Sequence, residues 1–254
     1  MKRNYKKFNL LTKEEKIFRV INLILMISFS VASLAVSLVC ASRGDLGRKF
    51  MSSLFMAVAF LFPLLIELIF GRRISATITL FFTLYVVLAG FVGSLLDVYY
   101  TFEGFDKIVH FLMGYICALP GIFILSACQD YKSFKPITIL VVCLITSLAI
   151  EFVWELVEWG IDRLLGQTMQ GAVVEGYNAP LLTDTITDMF CNLSGAILFC
   201  IHFAIGKFTK HSLGINIYER ELTVKRNDAL PVKSEDLPEE LSDNGDFTEK
   251  TNEK

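Results

Sequence analysis

The chain has 254 residues, of which 54% are hydrophobic and 20% charged, and its mean hydropathy is +0.54. Soluble domains are about 45–50% apolar and about a quarter charged, so this composition excludes an ordinary soluble globule and a disordered chain. The sequence also lacks the basic stripe of a nucleic-acid-binding protein, and we expect no nucleic acid partner. The composition predicts an integral membrane protein embedded in a lipid bilayer.

The charged residues are unevenly distributed along the chain. Residues 227–254 carry nine acidic and three basic residues, whereas the other 226 residues carry 17 acidic and 21 basic ones. This acidic end is poor in aromatic residues, which predicts disorder. We divide the chain into a basic cytoplasmic N-terminal segment (1–16), a transmembrane domain (17–208) and an acidic cytoplasmic tail (209–254).

Six apolar runs are long enough to cross a membrane, which takes about 20 helical residues. They are Ile17–Ala41, Phe50–Phe70, Ile74–Leu96, Ile108–Ala127, Ile137–Trp159 and Thr183–Phe208. The predicted fold is therefore an all-α polytopic membrane protein with six transmembrane helices.

The orientation of these spans follows from the excess of Lys and Arg on the cytoplasmic side of membrane proteins. When six helices are threaded through the membrane, most basic residues near span ends fall on the side of the basic N-terminus. This predicts cytoplasmic N- and C-termini. Arg43, Arg48 and Lys49 oppose the assignment, because they lie between spans one and two on the predicted outer side.

The fifth span contains a row of acidic side chains. Glu151, Glu155, Glu158 and Asp162 recur at helical spacing and lie within about 60° of one another on one face. Glu151 is expected near mid-membrane, where an ionisable residue marks a functional site by default. Because like charges on one stripe repel, we expect some carboxyls to be protonated or a cation to lie among them.

Spans four and six begin with similar pairs four residues apart. Asp106 precedes His110 on span four, and Asp184 precedes Asp188 on span six, followed on that face by Asn192. Carboxylate oxygens bind divalent cations, and histidine binds metals or transfers protons near neutral pH. A structural interpretation competes with this one: the first Asp of each pair as a helix cap or interfacial residue, and the histidine as a hydrogen-bonded core residue.

Three segments together resemble the YjdF-like family of bacterial inner-membrane proteins. They are Phe105–Phe111 (FDKIVHF), Glu151–Trp159 (EFVWELVEW) and Asp184–Met189 (DTITDM) followed by Gly195 and Ala196. The first segment and the Asp188, Asn192 and Gly195 pattern also look like VanZ-like proteins. In that family the middle element usually reads Glu-x-x-Gln, whereas here Glu155 is followed by Glu158. The resemblance implies a multi-pass protein of the bacterial plasma membrane and points to no particular reaction.

The leading hypothesis is an outward-facing site on spans four to six. It would bind a cation, in particular a divalent one, and through it a polar or phosphate-bearing envelope molecule or lipid headgroup. Metal ligands would come from Asp184, Asp188 and Glu155, and the substrate would contact Asp106, Glu151, Glu158 and Asn192. If the protein is an enzyme, which the sequence leaves open, His110 or Glu155 would be the general acid or base.

Two other hypotheses remain open at the level of sequence. The carboxylates would relay protons in a small proton- or cation-coupled transporter, or the polar stripes would only hold the helix bundle together. The sequence indicates no oligomeric state.

The predicted orientation is testable by labelling. A cysteine replacing Gln170 in a background without the native cysteines should react with a membrane-impermeant maleimide applied to intact cells. A cysteine replacing Lys132, on the predicted inner side, should react after lysis only. Protection at 170 together with labelling at 132 in intact cells would reverse the orientation.

Overall fold

The described part of the chain consists of helices joined by short connecting segments and contains no strand. A computed structural model describes residues 13–70, 74–128, 130–170 and 181–209, so the predicted terminal segments lie almost wholly outside the described residues. The helices are α1 Lys13–Ser42, α2 Arg48–Ala59, α3 Phe62–Phe70, α4 Ala76–Val86 (continued by a π-helical segment, Val87–Leu95), α5 Val98–Thr101, α6 Phe105–Cys117, α7 Leu119–Cys128, α8 Pro136–Leu165 and α9 Leu181–Thr209. A short 3₁₀ turn, Tyr131–Ser133, precedes α8.

Among the described residues, length and apolar composition identify five membrane spans and, beside them, one bent helix pair. The five are Lys16–Ser42, Ala76–Leu95, Phe105–Ser126, Pro136–Leu165 and Leu182–Thr209. Helices α2 and α3 complete the set if the pair is counted as one span. The predicted all-α polytopic fold is confirmed, while the cytoplasmic placement of both termini stays a prediction.

Two prolines interrupt the predicted spans. The second span is not one straight helix, because α2 ends at Ala59 and α3 begins at Phe62, with a 42° bend between them. Pro63 has no N–H to offer the Ala59 carbonyl, and its ring crowds that group, so the helix breaks at this point. Pro120 has the same effect between α6 and α7, although these two helices remain within one span.

The backbones of α6 and α9 are in direct contact at two glycines. A Cβ at Gly114 would collide with the Asn192 carbonyl group, and a Cβ at Gly195 would collide with that of Phe111. Small residues allow this close approach between membrane helices. The neighbouring Ser194 takes no part in this contact, because its side chain is exposed and its hydroxyl bonds within α9.

The bundle has an apolar end and a polar end. Toward the C-terminal half of α9, a core of buried apolar side chains joins α7, α8 and α9. It includes Ile122, Leu125, Ile139, Cys143, Phe199 and Phe203. The polar stripes of α6, α8 and α9 all lie at the opposite end, where α6 and α9 begin and α8 ends.

Two of the three cations that oppose the predicted orientation have a structural role. Arg48 forms an ion pair with Asp97 and donates to the Ser94 carbonyl at 3.0 Å, while Lys49 Nζ lies 2.6 Å from Asp97 Oδ2. The hydrogen bond from Lys49 holds the pKa of Asp97 below its usual value. These contacts fasten the start of α2 to the end of the third span, which gives both cations a reason to lie there without reversing the topology.

Candidate functional site

The three predicted polar stripes meet in one cluster. Helices α6 and α9 begin at the same end of the bundle and lie side by side. The last turns of α8 place its acidic face against them at that end. The cluster contains all eight residues predicted for the site, together with Lys107: Asp106, His110, Glu151, Glu155, Glu158, Asp184, Asp188 and Asn192.

Lys107 lies at the centre of the aspartates. Its Nζ donates to Asp184 Oδ1 at 2.6 Å, to Asp188 Oδ1 at 2.7 Å and to Asp106 Oδ2 at 3.0 Å. Lys107 was not among the residues predicted for the site. The one local signal was its position beside Asp106, since its partners on α9 are 77 and 81 residues away.

A buried chain of hydrogen bonds fixes the orientation of His110. Glu151 is completely buried; its Oε1 lies 2.7 Å from His110 Nδ1, and its Oε2 accepts from Asn192 Nδ2 at 2.9 Å. The Ser147 hydroxyl donates to the Gly114 carbonyl at 2.9 Å and lies 3.1 Å from Asn192 Oδ1. With the ring proton placed on Nδ1, His110 donates to Glu151 Oε1, so both oxygens of Glu151 accept hydrogen bonds.

The second ring nitrogen of His110 consequently faces the aspartates. Nε2 lies 3.5 Å from Asp106 Oδ1 and 3.9 Å from Asp188 Oδ1. With Nδ1 committed to Glu151, Nε2 is the nitrogen free to bind a metal or accept a proton. This is the usual arrangement of a metal-binding histidine, whose remote N–H is held by a carboxylate.

Glu155 is a carboxylate that makes no hydrogen bond of normal geometry within the described part of the chain, although the Thr185 hydroxyl lies near it. Both of its oxygens are buried, its side chain is 5% exposed, and Oε1 lies 3.9 Å from His110 Nδ1. Glu158 lies close by and is also buried. Burying an unpaired carboxylate costs several kcal/mol, so this side chain requires a proton or a cation.

Two groups of side chains have the spacing of a metal site. The ligand atoms of Asp106, His110 and Asp188 lie within 4.8 Å of one another, and so do those of His110, Glu155 and Glu158. Asp184 belongs to neither group, and Lys107 contacts both aspartates of α9. The three predicted ligands therefore do not form one group. Asp188 lies with Asp106 and His110, Glu155 lies with His110 and Glu158, and Asp184 contacts Lys107.

The cluster has an excess of negative charge and is accessible at one end. Its six carboxyls face at most two positive groups among the described residues, Lys107 and His110. The side chains of Asp106 and Lys107 are 27% and 28% exposed, whereas Glu151 is inaccessible. A cation entering from the exposed end would meet carboxylates at increasing depth.

Asp162 continues the acidic stripe of α8 but has a structural role. Its two oxygens accept from the backbone N–H groups of Met169 and Gln170 at 2.7 and 2.8 Å. The Gln170 side chain then donates to Thr185 Oγ1 on α9 at 3.0 Å. Asp162 thus positions the segment that follows α8 against the start of α9. Residues 171–180, which follow this segment, lie outside the described residues.

Comparisons with known proteins agree with a membrane protein. A sequence profile of the family described as "Predicted membrane protein (DUF2238)" matches residues 21–207, which include the whole cluster. The chain is similar to the inner membrane protein YjdF of Escherichia coli (strain K12), with 34% identity over 101 residues. This alignment covers 39% of the chain and 46% of the relative, so the chain matches less than half of that protein. No solved structure matches.

The hydrogen bond from Asn192 to Glu151 should support the stability of the site. Asn192→Leu removes the donor and leaves a buried carboxylate oxygen unpaired, so we expect the free energy of unfolding in detergent to fall by about 1–3 kcal/mol. Ser194→Ala, on the exposed face of the same helix, is the matched control and should change it by less than about 0.5 kcal/mol.

A double-mutant cycle isolates this contact. In a Glu151→Leu background the effect of Asn192→Leu should shrink, because the charge it served is gone. An equal loss in both backgrounds would show that Asn192 acts through packing instead.

Proposed function

This chain belongs to the DUF2238 family of predicted membrane proteins, and we propose that its polar cluster on α6, α8 and α9 is a cation-binding site. The protein is a multi-pass protein of the bacterial plasma membrane. The observation that carries the proposal is Glu155, a buried carboxylate whose two oxygens make no hydrogen bond of normal geometry within the described residues, beside His110 and Glu158. Membrane interiors penalise such a group unless it is neutralised.

The donor set favours a divalent transition metal over calcium or magnesium. An imidazole nitrogen together with carboxylate oxygens suits Mn²⁺, Fe²⁺ or Zn²⁺, whereas Ca²⁺ and Mg²⁺ prefer oxygen ligands. Glu151 holds His110 so that Nε2 is available toward Asp106 and Asp188. Glu155 and Glu158 offer further carboxylate oxygens from α8.

A polar or phosphate-bearing envelope molecule, such as a lipid headgroup, is the ligand we propose for the bound cation. The partly exposed Asp106 and Lys107 lie where such a group would approach. A metal with an open coordination position binds phosphoryl or carbonyl oxygens and polarises them. If a reaction follows, Glu155 and His110 are the groups placed to accept or donate a proton.

Metal binding to purified protein tests the site directly. We expect about one Mn²⁺ or Zn²⁺ per chain by elemental analysis and calorimetric titration. Glu155→Gln and Asp188→Asn should each weaken the affinity at least tenfold, because each removes an anionic ligand at nearly constant volume. The matched control is Glu103→Gln, an exposed acidic residue just before α6, and it should bind like the wild type.

Two results would contradict the proposal. One is a well-folded wild-type protein that binds neither metal. The other is an equal affinity in the wild type and in both site variants, which would place any bound metal elsewhere.

Proton- or cation-coupled transport is a second candidate function, supported by the depth of the cluster. Ionisable groups follow one another from the exposed Asp106 to the fully buried Glu151. Farther along α6 and α9, Tyr115 hydrogen-bonds His202. This pair adds polar groups toward the other end of the bundle.

Liposome assays distinguish transport from binding alone. A transporter should move protons or Mn²⁺ across the bilayer, and Glu151→Gln should abolish the flux because the deepest ionisable group is lost. Glu103→Gln vesicles provide the control. Unchanged flux in Glu151→Gln would remove this residue from the pathway, and no flux in wild-type vesicles would exclude coupled transport of these ions.

A further inference from the structure

The cluster already contains a cation of its own. The Lys107 ammonium lies within 3.0 Å of oxygens from three aspartates, one on its own helix and two on α9. Two of these residues, Asp106 and Asp188, are also members of a group with metal-site spacing. The ammonium and the proposed metal would therefore use the same side chains.

Asp188 shows the competition most clearly. Its Oδ1 lies 2.7 Å from Lys107 Nζ and 3.9 Å from His110 Nε2. A metal bound by both Asp188 Oδ1 and His110 Nε2 needs distances of roughly 2.0–2.2 Å to each of them. The metal and the ammonium would then share one oxygen in a poorly solvated site, where like charges repel strongly.

Lys107 is able to leave this position. It lies in the first turn of α6, at the exposed end of the cluster, and its side chain is 28% exposed. Lysine carries its charge on a flexible four-carbon stem and is strongly hydrated. Rotation about the side-chain bonds would return the ammonium to water without any movement of the helix.

We propose that Lys107 is a resident counter-ion that exchanges with the metal. In the metal-free protein its ammonium neutralises Asp106, Asp184 and Asp188 and holds α6 against α9. Metal binding displaces the ammonium to the exposed end of the cluster. This inference rests on the proposed cation site and adds to it how the site is occupied when no metal is bound.

Chemical footprinting measures the displacement itself. The wild-type protein in detergent is acetylated briefly with an amine-reactive ester, with and without saturating Mn²⁺, and each lysine is quantified by mass spectrometry. Lys107 should be protected without metal and react at least threefold faster with it. Lys49 is the internal reference, because its partner Asp97 lies outside both metal groups and its reactivity should not change.

Removing the ammonium measures the competition. Lys107→Met keeps most of the apolar stem and should bind Mn²⁺ at least tenfold more tightly than the wild type. Lys49→Met removes a cation from the same end of the bundle and should bind like the wild type. If Lys107→Met does not fold, Lys107→Gln retains hydrogen bonding without the charge and should show the same direction.

The outcomes separate this inference from the metal site on which it rests. If neither the wild type nor a folded Lys107 variant binds Mn²⁺ or Zn²⁺, the cation site itself is wrong. If the wild type binds Mn²⁺ but Lys107 acetylation is unaffected by it and the Lys107 variants bind no more tightly, the site stands and the exchange is overturned. Faster acetylation with metal and tighter binding in the variants together support the exchange.

Discussion

The cost of placing carboxylates inside a membrane governs the architecture of this protein. Six acidic side chains from three helices share a largely buried volume in which water screens them poorly, with one lysine and one histidine to balance them among the described residues. Each unpaired charge there costs several kcal/mol, which is comparable with the whole stability of many domains. The helices must therefore meet closely enough for the few positive groups to reach several carboxylates at once.

The close contact between α6 and α9 meets this requirement. Gly114 and Gly195 let the two backbones touch, and about two turns toward the exposed end the same alignment places Lys107 beside Asp184 and Asp188. A wider crossing would move the ammonium away from its partners. The apolar glycine contact and the charged cluster are thus parts of one arrangement, in which packing sets the distances that electrostatics needs.

Helical periodicity was enough to find the membrane spans and most of the site, because both depend on patterns within one helix. The spacing of Glu151, Glu155 and Glu158 predicted a common face, and the structure buries all three. Lys107 was missed because its role depends on contacts with a helix far along the chain. The hydrogen bond between His110 Nδ1 and Glu151 was missed for the same reason, because it joins two different helices.

The helix breaks in the second and fourth spans were not predicted, although a proline lies at each of them. Pro63 and Pro120 are visible in the sequence, and each removes a hydrogen bond from the helix that contains it. An apolar run shows where a span lies, but the direction of its axis depends on such local breaks. The orientation across the membrane depends on loop charges such as Arg48 and Lys49. Their ion pairs with Asp97 could not be predicted from the positions of the basic residues along the chain.

The partners of Lys107 have a consequence for synthesis in the cell. Asp184 follows Lys107 by 77 residues, so at about 5–20 residues per second the ribosome adds it roughly 4–15 s later. Throughout that interval Lys107 lacks its two partners on α9, and once α8 has been made Glu151 lacks the Asn192 amide. Insertion of α9 therefore supplies the hydrogen-bond partners of both residues, and a chain truncated before it would leave both incompletely paired.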